Sequence, residues 1–416
     1  MKKSLLAVAA MTAFAGAAHA QSSVTIYGVL DESYSSLKQT DRASLNKTTQ
    51  GLKDSAWTSN RLGFQGSEDL GGGSSTVFTV ESGLAVANAG PEAAGLGNTG
   101  ANSNYGTAPF TNVRQAFLGV KDTKFGQLTA GYQYTQEYFQ RIYNIGGSAN
   151  TLGIAATSSN GGIAVASRGT IDQYNGFRYE SPAYMGAQFV AMVGTVNLTQ
   201  QSAYGVPVTS VASATGQGMY IAGVDPAAAI TQNGTAQSYG VQWTQGKAQA
   251  TVSMSKENAF NAVSYNYTLG AATLPIVATM VALNTQQTNV TASGSYDFGI
   301  VKLMGLAANR RITTASASTV ANVDMYNIGA FVPVTPTIKL GVNYAYAHQG
   351  LSGNDTKNQA YQASVQYSLS KRSTAYLLAA RASVSAISGN VGSSAATTLT
   401  TPTSANQYVA GFMHSF

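Results

Sequence analysis

Cysteine is absent from the 416 residues, histidine occurs three times, tryptophan twice, and charged side chains make up only 10% of the chain. The first absence excludes a disulfide framework and thiolate metal sites. Beyond the N-terminal leader only His348 and His414 remain, with no serine or acid that periodicity brings near either. Nucleophilic catalysis and metal binding therefore find no constellation, and no cofactor is implied. A typical soluble domain is about 25% charged, so this chain is too sparsely charged for a water-facing exterior of its size. No stretch after the N-terminus reaches the ~18 apolar residues that a spanning helix needs, which excludes a helical membrane protein. The formal charge of +6 is thinly spread, so no nucleic-acid surface follows from it. What is abundant is 44 Gly, 23 Tyr and 14 Phe, distributed among short apolar pieces.

Residues 1–20 read as a secretory signal peptide: Lys2 and Lys3, an apolar stretch from Leu5 to about Ala15, then Ala18-His19-Ala20 as a small-x-small cleavage site. The mature chain, 21–416, is expected to begin at Gln21 as a single domain, with its formal charge lowered from +6 to +4 by the loss of Lys2 and Lys3.

Period two dominates the rest. Tyr361, Ala363, Val365, Tyr367 and Leu369 alternate with Gln and Ser, and Ile338, Leu340, Val342, Tyr344 and Tyr346 alternate with Lys, Gly, Asn and Ala. Ala248–Ser255 and Val290–Phe298 follow the same rule. The polar faces carry small uncharged residues rather than the Lys and Glu of a water-facing sheet, which suits the inside of a pore. The apolar faces gather Tyr and Phe at strand ends, as lipid-facing strands with aromatic girdles do. A sheet in lipid must close on itself, so the expected fold is all-β: a transmembrane antiparallel β-barrel in an outer membrane.

Loop lengths supply a strand count. Tight links at Glu68–Ser74, Asp122–Gly126, Ser181–Gly186, Gln245–Lys247, Asp297–Gly299, Pro333–Pro336 and Leu369–Arg372 are rich in turn residues. Gly71-Gly72-Gly73 belongs to the first of these and is not a phosphate loop, since no Lys or helix follows. Long connections are expected at 35–58, 85–111, 135–170, 197–236, 257–287, 312–322, 348–357 and 384–405. Eight long loops and seven turns give 16 strands. A further hairpin formed by Ala262–Tyr267 and Thr273–Leu283 would raise the count to 18, with a long fifth loop as the alternative.

Three stretches carry a resemblance: Ser22-Ser23-Val24-Thr25-Ile26-Tyr27-Gly28-Val29-Leu30-Asp31, Asn60-Arg61-Leu62-Gly63-Phe64-Gln65-Gly66-Ser67-Glu68-Asp69-Leu70-Gly71, and the terminal Gly411-Phe412-Met413-His414-Ser415-Phe416. Together with Arg114–Gly119, Ser293–Gly299 and Leu369–Ser373, they resemble the trimeric general-diffusion porins of Gram-negative bacteria, of the Neisseria and Burkholderia type. The resemblance implies a 16-stranded outer-membrane barrel, a homotrimer among lipid and lipopolysaccharide, and a third loop, roughly 135–170, folded inward as a constriction. It also implies passive passage of ions and small hydrophilic solutes, and recognition of the C-terminal aromatic Phe416 by the barrel-assembly machinery. Phe416 as a plain interface aromatic is compatible with that. Two other functions stand beside this one: a substrate-specific 18-stranded channel, and a secreted β-rich adhesin, which would need a fixed repeat period and no girdles.

A pore filters by radius and by the charges lining its narrowest section. With Leu62 and Phe64 facing lipid, Arg61 faces the lumen, where the family's barrel-wall arginine is retained. Phe78 and Val80 put Glu81 inward beside Arg61, and Phe177 and Tyr179 put Arg178 and Glu180 inward. Each of these charges is either a filter or half of a wall ion pair. Arg381 is placed inward, opposite Tyr376, Leu378 and Ala380. Arg114 is open: Phe117 and Val113 argue for the lumen, whereas Leu118 and Val120 share its face. The family's Gly-Arg-Gln-Tyr-Thr is here Gly131-Tyr132-Gln133-Tyr134-Thr135, so Tyr132 replaces a charge, and Phe139 stands where the family commonly has an acid. With Glu137, Arg141 and Arg168 on the third loop, the expected eyelet is weakly charged and slightly anion-favouring, and Tyr132, Tyr138, Phe139 and Tyr143 either rim it or pack the loop to the wall.

Overall fold

The computed structural model describes residues 23–41, 46–84, 86, 113–140, 173–200, 230–268, 277–314, 319–351, 354–384 and 402–416. The expected signal peptide, Arg141, Tyr143 and Arg168 lie outside them. The first strands are β1 (Ser23–Asp41), β2 (Asn46–Asp54), β3 (Arg61–Gly71), β4 (Ser74–Gly83), β5 (Val113–Asp122) and β6 (Gly126–Tyr134), followed by the one-turn helix α1 (Gln136–Phe139). Then come β7 (Gln173–Glu180), β8 (Ala187–Gln200), β9 (Ile230–Gln245), β10 (Ala248–Thr268), β11 (Val277–Asp297) and β12 (Lys302–Thr314). The last are β13 (Thr319–Pro333), β14 (Ile338–Leu351), β15 (Asn354–Ser368), β16 (Ser373–Val384) and β17 (Pro402–Ser415).

All strand pairs are antiparallel and mostly sequential neighbours, and β1 pairs with β17 from Val29↔Ser415 to Asp41↔Pro402, which closes the sheet. On its other edge β1 pairs first with β3, Ser23↔Ser67 to Val29↔Arg61, and then with β2, Glu32↔Asp54 to Thr40↔Asn46. Because β2 and β3 continue one another along that edge, they form one interrupted stave, and the barrel has 16 staves. The interruption is stitched by Asp31, whose buried carboxylate accepts from the Trp57 and Thr58 N–H groups at 2.6 Å each and from the Tyr376 hydroxyl at 2.6 Å. The Asn60 side chain accepts from the Asp31 N–H at 2.5 Å.

The hairpin at 262–283 is real but adds no staves. It continues the ladder of β10 and β11 as far as Thr268↔Val277, so the 18-strand alternative is overturned. The connections read as loops at 35–58, 257–287, 312–322 and 348–357 are likewise largely strand, because their residues go on pairing beyond the apolar band. The seven short links lie where expected. At the first, Gly71, Gly72 and Gly73 all have φ between +65° and +90°, a backbone that side chains with a Cβ resist.

Outward and inward faces follow the alternation in β10, β11, β14 and β15, where Val252, Met254, Val290, Val342, Tyr361 and Val365 are exposed to the surroundings while Thr251, Ser253, Thr291 and Ser364 are buried inside. The β16 reading is inverted. Gln366, Ser364 and Gln362 of β15 pair with Tyr376, Leu378 and Ala380, so these three point inward and Arg381, with Leu377, points outward. Leu378 is 3% exposed and Leu377 59%. Both faces of β16 are apolar, so period two carries no contrast there, and the ladder to β15 decides. The inward set joins Val323, Met325, Ala345, Ala360 and Val409 in an apolar cluster against Ala56 and Trp57, with the Trp57 and Tyr376 rings 5.6 Å apart.

Candidate functional site: the lumen constriction

Three neighbouring strands present a connected charge group to the lumen. In the β3–β4 ladder Gly63 lies opposite Glu81, and Leu62 opposite Ser82, so Arg61 and Glu81 share the inner face. Arg114 joins them through a β-bulge. Glu81 pairs with Gln115 and Ser82 with Val113, leaving Arg114 as the extra residue between them. The face of Leu118 and Val120 therefore does not extend to it. Glu81 Oε1 accepts from Arg114 Nε at 2.6 Å, and Oε2 accepts from the Tyr27 hydroxyl at 2.9 Å and lies 3.8 Å from Arg61 Nε. Arg61 also donates to the Ser59 carbonyl at 3.1 Å. Its side chain is 27% exposed against 6% for Glu81, so the group offers the lumen more positive than negative charge.

The start of the third loop crosses into the barrel. Thr135 caps α1, its hydroxyl accepting from the Tyr138 N–H at 3.3 Å. The helix then reaches the far inner wall. Gln140 donates to Ser253 at 2.6 Å and accepts from Ser293 at 3.1 Å, while Glu137 accepts from Ser255 at 2.7 Å and from Asn289 at 3.3 Å. Gln136 donates to Gln242 at 3.1 Å. The small polar inner residues of β10 and β11 are thus the docking surface for this segment.

Aromatic rings join the helix to the charges. Tyr134 and Tyr138 stack, Phe139 meets both edge-on, and Arg114 Nη2 donates to the Tyr138 hydroxyl at 2.7 Å. The Arg114 guanidinium lies 5.6 Å from the Tyr134 ring centroid and that of Arg178 5.3 Å from Phe139. Arg178 is ion-paired with Glu180 and donates to Gln136 at 3.4 Å. Tyr138 therefore packs the loop to the wall, and Phe139, 39% exposed, packs there while still presenting a ring edge.

Two expected lining residues are corrected. Tyr132 lies in register with Ala116 and Asn175, on the outward face of Leu118 and Phe177, because strict alternation from Thr129 and Gln133 leaves it no other side. Arg381 is outward as described above. Three residues were missed. Arg310 pairs with Asn289 in the ladder, faces inward, and lies within electrostatic reach of Glu137 and Glu257. Glu257 follows Ser253 and Ser255 on the inner face of β10, and Lys53 faces inward opposite Ser33. The adjacent pair Arg310-Arg311 carried a signal, since consecutive strand residues cannot share a face.

A family model described as Gram-negative porin matches residues 7–386. An outer membrane porin protein of Bordetella pertussis is 25% identical over 411 residues, covering 90% of this chain and 93% of the relative. Among solved structures, an anion-selective porin from Comamonas acidovorans matches with a TM-score of 0.64 at 18% identity, covering 95% of this chain and 100% of that one. The trimer form of OmpT from Vibrio cholerae matches with a TM-score of 0.57 at 14% identity, covering 95% and 99%.

Proposed function

The chain belongs to the Gram-negative porin family, and from that premise we propose that it is a homotrimeric, water-filled diffusion channel that passes small hydrophilic solutes and mildly favours anions. The observation that carries the selectivity is the group of two guanidinium ions around one carboxylate, with Arg61 the more exposed partner. Fixed positive charge at a narrow section raises the local concentration of anions and lowers that of cations. The fold shared with an anion-selective porin and with an outer membrane protein solved in a trimer form is consistent with this reading. Arg61, Glu81, Arg114, Arg178 and Glu180 form the charged part of the constriction, with α1 docked on the facing wall and Arg310 as a further charge beyond it.

The same reading includes removal of residues 1–20 on export, recognition of Phe416 by the assembly machinery, and residence among phospholipid and lipopolysaccharide. The test of selectivity is the reversal potential of the purified protein across a planar bilayer under a salt gradient. A potential of the anion-favouring sign is expected, clear cation preference would remove the role given to the arginines, and silent membranes would remove the channel.

A further inference from the structure

Besides α1, a second element enters the lumen. Between β2 and β3 the chain turns inward at Ser55, whose φ of 63° is a left-handed backbone that residues with a Cβ rarely adopt, and it rejoins the wall after Asn60. The Ser55 N–H donates to the Asp31 carbonyl at 2.7 Å, and the Asp31 carboxylate holds the Trp57 and Thr58 peptides. Ala56 and Trp57 are thereby set against the inner face of β16 and β17, Ala56 buried and Trp57 only half-buried.

Arg61 folds back over this same segment. Its Nη1 donates to the Thr58 hydroxyl at 3.3 Å and to the Ser59 carbonyl at 3.1 Å, while Nε lies 3.8 Å from Glu81 and no described residue accepts from Nη2. On one side of Trp57 the inner wall from β13 to β17 is apolar, with Met325, Ala345, Leu378 and Val409 in one cluster. On the other side, β3 to β5 carry Arg61, Glu81 and Arg114. The indole therefore stands at the border between an apolar and a charged sector of the pore.

We propose that this border selects aryl monocarboxylates, with a flat ring on the Trp57 indole and the carboxylate held by Arg61. The proposal rests on the diffusion-channel reading and names the solute class that its constriction favours. An open Nη2 beside a loosely engaged Nε is the fork that grips a carboxylate with two parallel hydrogen bonds. Contact with the indole adds attraction for a ring that a small aliphatic acid lacks. A neutral aromatic gains the ring contact without the charge. Glu81, beside Arg61, repels a second carboxylate, so one negative charge suits the site better than two.

The test is block of chloride current through the purified full chain in planar bilayers by benzoate. Acetate supplies the charge without the ring, benzamide the ring without the charge, and phthalate a second charge, on wild type, Trp57→Leu, Trp57→Phe and Arg61→Gln. Benzoate should half-block wild type at a concentration about fivefold below acetate, the size of one aromatic pair. It should act about tenfold below benzamide, as expected for a hydrogen-bonded charge, and below phthalate too. Trp57→Leu should remove the advantage over acetate, Trp57→Phe should retain most of it, and Arg61→Gln should remove the advantage over benzamide. Equal block of wild type by benzoate and acetate overturns the proposal, as does a benzoate advantage that survives Trp57→Leu or Arg61→Gln. Where Trp57→Leu gives no folded barrel, the wild-type solute series and Arg61→Gln decide. A silent wild type removes the channel reading, whereas normal chloride steps without preferential benzoate block remove only this site.

Discussion

Neutralising Glu81 and neutralising Arg61 should move ion selectivity in opposite directions from almost the same point in the pore. Glu81→Gln keeps an acceptor oxygen for Arg114 and an amide that can donate to the Tyr27 hydroxyl, while deleting the one carboxylate of the group and leaving two arginines uncompensated. An ion passing about 8 Å away gains or loses about 0.5 kcal/mol at the dielectric constant of water. At 0.1 M salt a Debye length of about 10 Å cuts this roughly in half. Anion and cation feel opposite signs, so the permeability ratio changes by about 0.5 kcal/mol, roughly twofold toward anions. Arg61→Gln should shift it about twofold toward cations. The assay is the reversal potential under a salt gradient, repeated at 1 M, where a Debye length of about 3 Å should erase both shifts. Shifts of the same sign in the two variants, or shifts undiminished at 1 M, would refute the reasoning.

Asp31→Asn puts an amide where three donors converge and should cost about 1–3 kcal/mol, seen as a lower urea midpoint of the barrel in detergent, with pore conductance unchanged in the folded fraction. Glu137→Ala combined with Gln140→Ala unties α1 from the β10–β11 wall, and single-channel recordings should show larger, noisier steps. Gly28→Val would press a side chain into Phe416, whose ring comes within 2.3 Å of a Cβ built at Gly28. The yield of heat-modifiable barrel on gels should fall sharply, while Phe416→Ala in the same background should recover part of it if the clash is the cause.

The barrel was legible because four strands combine a polar face with an apolar one, and because tight turns alternate with long connections. What failed, failed where contrast was missing. Tyr376-Leu377-Leu378-Ala379-Ala380 is apolar on both sides, so Arg381 was assigned by a parity that only the ladder to Gln362, Ser364 and Gln366 could fix. Arg114 resisted assignment because one inserted residue between Val113 and Gln115 resets the alternation, and a bulge leaves no mark in composition. Arg310 went unnoticed for the same reason as Arg381: Met304, Leu306 and Ala308 line its inner face, where polar residues were expected. Loop ends were misjudged at 257–287 because pairing continues after hydrophobicity stops.

Closure by the two chain ends has a consequence for biogenesis. The Gly28 and Phe416 backbones exchange hydrogen bonds at 3.1 Å, and Asp31 holds Tyr376 across 345 positions of sequence. No nascent fragment can form these links, so until its final residue is available the polypeptide is a ribbon with two naked edges, open to pairing with any other strand. Because closure waits on pairing this remote in sequence, completion should be slow, and a chaperoned route serves less for speed than to keep unfinished ribbons apart.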